Sequence, residues 1–271
     1  MSRQSLPYWH IDAFAERPFA GNQAAVMPLD AWLPDETLQA IAAENLFAET
    51  AFVVRDETGA ADWELRWFTP TLEIRLCGHA TLASGHVLLE RDGGERVTFR
   101  TRRAGLLEVR RLGSGSYELA LPAIPTEPAG YPEAVALLGA TPLEVWRSPD
   151  RYSVFVFDSE AQVRTLAPEM KGLAALGDDQ FICTAPGEAT DVVSRVFVPG
   201  AGVDEDSVTG SAHAVLTPLW AARLGRERFT AHQASARGGD LVCRLAKDDG
   251  GDRAWLGGPC VTVVEGRFYL G

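Results

Sequence analysis

Asp62-Trp63-Glu64-Leu65-Arg66-Trp67-Phe68-Thr69-Pro70 recurs in outline as Asp191-Val192-Val193-Ser194-Arg195-Val196-Phe197-Val198-Pro199. The shared frame is Asp-x-x-x-Arg-x-Phe-x-Pro, displaced by 129 residues, and Phe52 and Phe181 keep that displacement. Gly78, Ala80, Gly93, Glu95, Arg96 and Thr98 match Gly210, Ala212, Gly225, Glu227, Arg228 and Thr230 at a displacement of 132. Gly105, Leu107 and Arg110 match Gly239, Leu241 and Arg244 at 134. Isolated matches of Gly and Ala carry little information, but an ordered series with only two small slips carries a good deal. It implies one supersecondary unit present twice, hence two similar domains facing each other, and ligand sites favour such interfaces.

Two domains of about 130 residues suit a chain of 271. We divide it into 1–122 and 123–271, with the last strands, about 254–270, free to close either domain. The proline-rich stretch Pro122 to Pro132 reads as the linker. In the first half, short strands at 8–14 and 23–28 flank a turn at Gly21-Asn22. A helix opens at Pro34-Asp35-Glu36, with Leu38, Ile41, Ala42 and Leu46 at helical spacing. Strands at about 50–55, 63–68, 96–100, 105–111 and 116–121 surround a stretch, Ala80 to Leu89, that is apolar nearly all round. A helix of that kind is buried on every side. The second half repeats the order. Strands lie near 152–157, 180–184, 192–198, 228–235 and 240–245. One amphipathic helix carries Val163, Leu166 and Leu173. An apolar helix runs from Ser211 to Leu224, with Pro218 expected to kink it or to remove a hydrogen bond. The expected fold class is α+β: two pseudo-repeated domains, each a mostly antiparallel sheet or barrel wrapped around a buried helix.

Composition excludes several classes of function. The 25 lysines and arginines against 37 acidic residues leave a net charge of −12, which repels nucleic acid and anionic membranes. The first ten residues lack a charged segment followed by an apolar run, and no apolar stretch nears membrane-spanning length, so a cytoplasmic protein is expected. The cysteines, Cys77, Cys183, Cys243 and Cys260, form no CxxC pair. The five histidines lack HExxH-like spacing, and neither GxGxxG nor a P-loop is present, so neither a metal nor a nucleotide cofactor is expected.

The repeat sets Cys77-Gly78-His79-Ala80 against Thr209-Gly210-Ser211-Ala212, each a glycine turn entering an apolar helix. Helix N-termini offer unpaired N–H groups and positive potential, which suit a carboxylate or an enolate-like oxyanion. One such turn alone is better explained by turn geometry and capping. The duplication favours function.

These residues also carry a resemblance. Phe19-Ala20-Gly21-Asn22-Gln23-Ala24-Ala25-Val26, Ala48-Glu49-Thr50-Ala51-Phe52-Val53, Arg66-Trp67-Phe68-Thr69-Pro70 with Leu76-Cys77-Gly78-His79-Ala80-Thr81, Glu205-Asp206-Ser207-Val208-Thr209-Gly210-Ser211-Ala212-His213 and Arg237-Gly238-Gly239 resemble the PhzF, or phenazine-biosynthesis-like, family over essentially the whole chain. That family shares its fold with diaminopimelate epimerase and proline racemase. Gln23 and Ser207 stand where the family usually has Pro, and Ala48 where it has Ser.

The resemblance implies a cofactor-independent isomerase that moves a proton between carbons of a small carboxylated substrate, in the cleft between the domains. Glu49 is implied as general acid/base, with His79 and Asp206 as further catalytic groups and Asn22, Gly78, Gly210 and Ser211 as substrate contacts. It also implies a homodimer. Read without the resemblance, Glu49 could be a surface residue at a helix end, His79 a satisfied buried histidine, Asp206 an answer to the helix dipole and Asn22 a turn residue. His86, His213, Cys183, Cys243 and Cys260 read as core residues. Two-base racemases of this fold resemble one another in having a cysteine at both helix starts. Here Thr209 occupies the second, and its hydroxyl is far too weak an acid for a thiolate's work. The alternatives are an amino-acid epimerase or racemase on the same fold, and a ligand-binding scaffold without catalysis.

Overall fold

The structure is a computed structural model that describes residues 4–247 and 250–270. It divides into two compact units: one runs to Ala120 and takes in the chain again from Gly257, and the other is Leu121–Leu256.

The first unit contains β1 (Ser5–Ala13), β2 (Asn22–Pro28), α1 (Asp35–Asn45), β3 (Glu49–Arg55), β4 (Trp63–Phe68), β5 (Glu73–Ile74), α2 (Gly78–Asp92), β6 (Arg96–Thr101), β7 (Leu106–Gly113) and β8 (Ser116–Pro122). β1 pairs antiparallel with β2, β2 runs parallel to β3, and β3 is antiparallel to β4. β4 is antiparallel to β5 and parallel to β6, and β6, β7 and β8 form an antiparallel meander.

The second unit contains β9 (Glu127–Pro128), α3 (Pro132–Leu137), β10 (Glu144–Arg147), β11 (Tyr152–Val156), α4 (Glu160–Thr165), α5 (Met170–Ala175), β12 (Gln180–Pro186), β13 (Val192–Val198), β14 (Val203–Asp206), α6 (Gly210–Leu224), β15 (Arg228–Gln233) and β16 (Gly239–Ala246). Its pairings repeat the order and the sense of the first: β10 and β11 antiparallel, β11 and β12 parallel, β12 to β13 to β14 antiparallel, β13 and β15 parallel, β15 and β16 antiparallel. The last strand, β17 (Arg253–Tyr269), passes from the second unit into the first, where it pairs with β1 and β8 and completes a ring of strands.

Inside that ring α2 lies against β1, β2, β3, β6 and β7. Gly78 through Leu89 are all buried, and each buried leucine contributes about 2 kcal/mol by its removal from water. The close approach fixes Gly85, where a Cβ would fall 2.4 Å from Val109 Cγ1. Two hydroxyls on the buried helices bond within their own helix: Ser84 donates to the Ala80 carbonyl at 2.7 Å and Thr217 to that of His213 at 2.6 Å.

The repeated residues make repeated contacts. Arg66 clasps Glu73 with two bonds of 2.8 Å, and Arg195 clasps Glu205 at 2.8 and 2.9 Å. Each guanidinium lies over the ring two residues on, Phe68 at 4.9 Å and Phe197 at 4.8 Å. Asp62 accepts from the Thr98 amide and Asp191 from that of Thr230, both at 2.8 Å, which stitches each parallel strand pair at its end. The Asp-x-x-x-Arg-x-Phe frame is therefore scaffolding.

Several expectations need correction. Phe52 faces Arg66 across its ladder, whereas Phe181 faces Phe197, so these two phenylalanines are not equivalent; Thr50, opposite Phe68, is the true counterpart of Phe181. Leu46 is not a core position but the left-handed cap of α1, 77% exposed. The single helix expected around Val163 and Leu173 is two short ones, because Pro168 cannot continue the first. The stretch read as a linker carries β9 and the start of α3, and its backbone is bonded down through Ala123 and Ala129. α6 continues through Pro218. The Ala214 carbonyl, which loses its helical donor there, accepts from Ile124 N–H at 3.1 Å instead. Among the described residues no helix is long and apolar enough to cross a membrane.

Candidate active site

Three elements of the first unit bring Asn22, Glu49 and His79 together. Asn22 opens β2 behind the tight turn at Gly21, whose φ of +64° suits glycine. Glu49 opens β3 beside it, the parallel ladder beginning at the pair Ala24 and Glu49. His79 is the second residue of α2, and Gly78 its first.

His79 Nε2 lies 2.9 Å from Glu49 Oε2, and Asn22 Nδ2 lies 3.1 Å from His79 Nδ1. Asn22 and His79 are buried, and Glu49 is half-buried. With the amide nitrogen turned to the ring, Nδ1 accepts and the Nε2 proton points to Glu49. With the amide reversed, Nδ1 can carry a proton as well. Glu49 Oε2 is buried, and the group that faces it is His79 Nε2.

Cys77 caps α2 from an extended conformation, its sulfur 3.6 Å from His79 Nδ1. Burial, then the charge of Glu49, pushes its thiol up to about 11, so near pH 7 it is a neutral S–H. Burial of the imidazole opposes its charge, but the sulfur and the Glu49 carboxylate outweigh that and hold its pKa well above the usual value. Since the thiol is neutral, Glu49 is the charge responsible. One ligand atom each of Glu49, Cys77 and His79 lies within 4.8 Å of the other two, close enough to reach a common metal ion. The exclusion of metal from histidine spacing missed this set, which the fold assembles from separate elements.

Asp206, Gly210 and Ser211 form a separate group in the second unit. Asp206 ends β14 and accepts from Thr209 Oγ1 at 2.6 Å. Gln233 accepts from Thr209 N–H at 2.8 Å and donates to the Asp206 carbonyl at 2.7 Å. Thr209 makes no side-chain cap, its hydroxyl being turned to Asp206. Ser211 is bonded both ways to Gln180, at 3.1 and 3.3 Å. Sequence reasoning passed over Gln180 and Gln233, because a lone glutamine in a strand carries no motif.

The remaining candidates are structural. His86 bonds Tyr117 and Thr262, and Cys183, Cys243 and Cys260 are buried free thiols. His213 bonds the Thr209 carbonyl at 2.8 Å, and burial brings its pKa down to about 4. Gln23, in place of the resembled proline, reaches His10 at 3.1 Å, and His10 stacks on Phe47.

Comparison with known proteins follows the same lines. A protein named as an uncharacterized isomerase of Pseudomonas aeruginosa is 47% identical over 268 residues, 98% of this chain and 99% of the relative. A crystal structure of a phenazine biosynthesis protein of the PhzF family from Enterococcus faecalis superposes with a TM-score of 0.90 at 40% identity, covering 98% of this chain and all of that one. A hydroxyproline epimerase from Agrobacterium vitis shares the fold, with a TM-score of 0.66 at 11% identity over 99% of this chain and 94% of its own. The mixed sheet with helices is thus that of PhzF proteins and related epimerases. The profile of the phenazine biosynthesis-like proteins, PhzC-PhzF, matches residues 11–266, and the chain belongs to that family of isomerases.

Proposed function

We propose that the protein is a cofactor-independent isomerase in which Glu49 takes a proton from one carbon of a small carboxylated substrate and returns it to another. The observation that carries this reading is the buried Glu49 oxygen, held 2.9 Å from His79 Nε2. As the C–H bond breaks, its electron pair enters the substrate's π system. The double bond shifts, and the proton re-forms a C–H bond elsewhere, so no oxidant or reductant is consumed. His79 stabilises the Glu49 carboxylate before transfer through its Nε2–H, and holds the carboxyl group in place while it carries the substrate proton. Asn22 answers either protonation state by turning its amide. Gly78, Gly210 and Ser211, at the starts of α2 and α6, are the contacts for the carboxylate and for the anion that develops. Asp206 acts through Thr209.

The neutral Cys77 and the hydroxyl of Thr209 argue against a two-thiol racemase. The matching order of strand pairing supports an internal duplication. We further propose a cytoplasmic homodimer, which sedimentation would test by giving twice the chain mass.

Deuterium uptake from D₂O, read by mass spectrometry, tests the reading on dihydro-hydroxyanthranilate and a panel of amino and hydroxy acids. Uptake that needs Glu49 and accompanies a shifted double bond supports it. Uptake at an α-carbon with racemisation would replace it by an epimerase, and uptake unchanged in Glu49→Gln would remove Glu49 as the base.

A further inference from the structure

The strand register identifies what the second unit has in place of the acid–base pair. Thr50 faces Phe68 and Phe181 faces Phe197, and these two phenylalanines close the repeated frame. The residues just before Thr50 and Phe181, namely Glu49 and Gln180, open β3 and β12 and start the two parallel ladders, against Ala24 and Tyr152. Both are half-buried. Each reaches the second residue of the following buried helix, Glu49 to His79 at 2.9 Å and Gln180 to Ser211 at 3.1 Å. The same two places are thus filled by an ionisable pair in one unit and a neutral pair in the other.

We infer that Gln180 is a positioning residue that holds the Ser211 hydroxyl for the substrate, and that its neutrality makes the second unit's counterpart of the Glu49–His79 pair a hydrogen-bonding subsite with no second base. This rests on the reading of Ser211 as a substrate contact. The amide matches the hydroxyl in both directions: Gln180 Nε2 donates to Ser211 Oγ, and Gln180 Oε1 accepts from it. The bond from Nε2 fixes the oxygen, and the Ser211 proton can turn from Gln180 Oε1 to an incoming acceptor. A carboxylate at position 180 would only accept, and it would repel a carboxylated ligand.

Two experiments test this. In the exchange assay Gln180→Leu is expected to raise KM about tenfold with kcat within about threefold, the loss of one well-placed hydrogen bond. Gln180→Glu is expected to match the wild-type KM at low pH and to lose affinity as the new carboxyl ionises, a limb that wild type lacks. An unchanged KM in Gln180→Leu, or a flat KM profile in Gln180→Glu, overturns the positioning role. The second experiment needs no substrate. The imidazole introduced by Ser211→His is titrated by NMR, alone and together with Gln180→Glu. Equivalence with Glu49 and His79 requires the added carboxylate to raise that imidazole by about one unit or more. No rise overturns the equivalence, whatever the protein's substrate proves to be. Absence of Glu49-dependent exchange in wild type would instead remove the proposed function and leave this geometric result standing.

Discussion

Replacing Glu49 with glutamine separates its chemical role from its structural one. Glutamine keeps an oxygen facing His79 Nε2 but loses the charge. A hydrogen bond to a charged partner contributes about 1.5–3 kcal/mol and a neutral one about 0.5–1.5, so the variant should lose about 1 kcal/mol of stability. That loss should depend on pH, and its sign follows from His79. Burial opposes the imidazolium, yet with the Cys77 thiol neutral the Glu49 carboxylate is the charge that holds its folded-state pKa well above the unfolded value of 6.5. A raised pKa of this kind adds stability that is fully present below about pH 6.5 and disappears as pH rises through the folded-state value. The gap between wild type and Glu49→Gln should therefore be widest near pH 6 and narrow toward alkaline pH. Urea unfolding at a series of pH values measures it, with equal m-values confirming that the unfolded states match. Proton exchange into substrate should fall by about 10² to 10⁴, the usual contribution of a positioned general base. A variant that keeps exchange within tenfold of wild type refutes the catalytic assignment. A stability gap that does not narrow with pH refutes the coupling of Glu49 to His79.

Asn22→Asp places a second carboxylate beside His79 Nδ1, so the imidazole should hold its proton to higher pH, seen as an upward move of its NMR titration. Cys77 should react slowly with iodoacetamide at pH 7.5, with a rate still rising at pH 9, because its thiol stands at about 11; Cys77→Ser should retain exchange within a few-fold. In Gly21→Ala the new Cβ would fall 2.2 Å from the Ala13 carbonyl oxygen and 2.8 Å from Ala15 Cβ at a φ of +64°. The left-handed penalty and the overpacking together should cost about 2–4 kcal/mol in urea unfolding and disturb the neighbouring Asn22.

The two buried helices were legible from sequence because their apolar runs exceed any one-sided pattern, and both lie where expected. Asn22, Glu49 and His79 were legible as separate motifs, but their meeting was not. It depends on β2 and β3 running parallel, which no local pattern reveals. Pro168 was a readable break that helical spacing alone overrode. Ile124 could not be foreseen as the donor that satisfies Ala214 beside Pro218, because that bond joins residues 90 apart in the chain. Gln180 was hidden for a different reason. The displacement between the copies changes from 131 in the strand that opens at Glu49 to 129 in the next, and a match of Phe52 to Phe181 disguised the slip.

That slip separates what the two units share from what they do not. The residues that repeat most plainly, Asp62 with Asp191 and Arg66 with Arg195, make the same bonds in both units and belong to the frame. At the helix starts and the strands beside them the copies differ: Cys77 against Thr209, His79 against Ser211, Glu49 against Gln180. A frame that both copies must keep cannot carry an asymmetric function, because any group it fixed would be present twice. A single base needs a position where the copies are free to differ while the backbone that presents it stays the same. The second residue of each buried helix and the first of each neighbouring strand are such positions, since both are set by ladder register and glycine turns rather than by their own side chains. The repeat therefore locates the scaffold, and the departures from it, read in the strand register, mark out the candidate site.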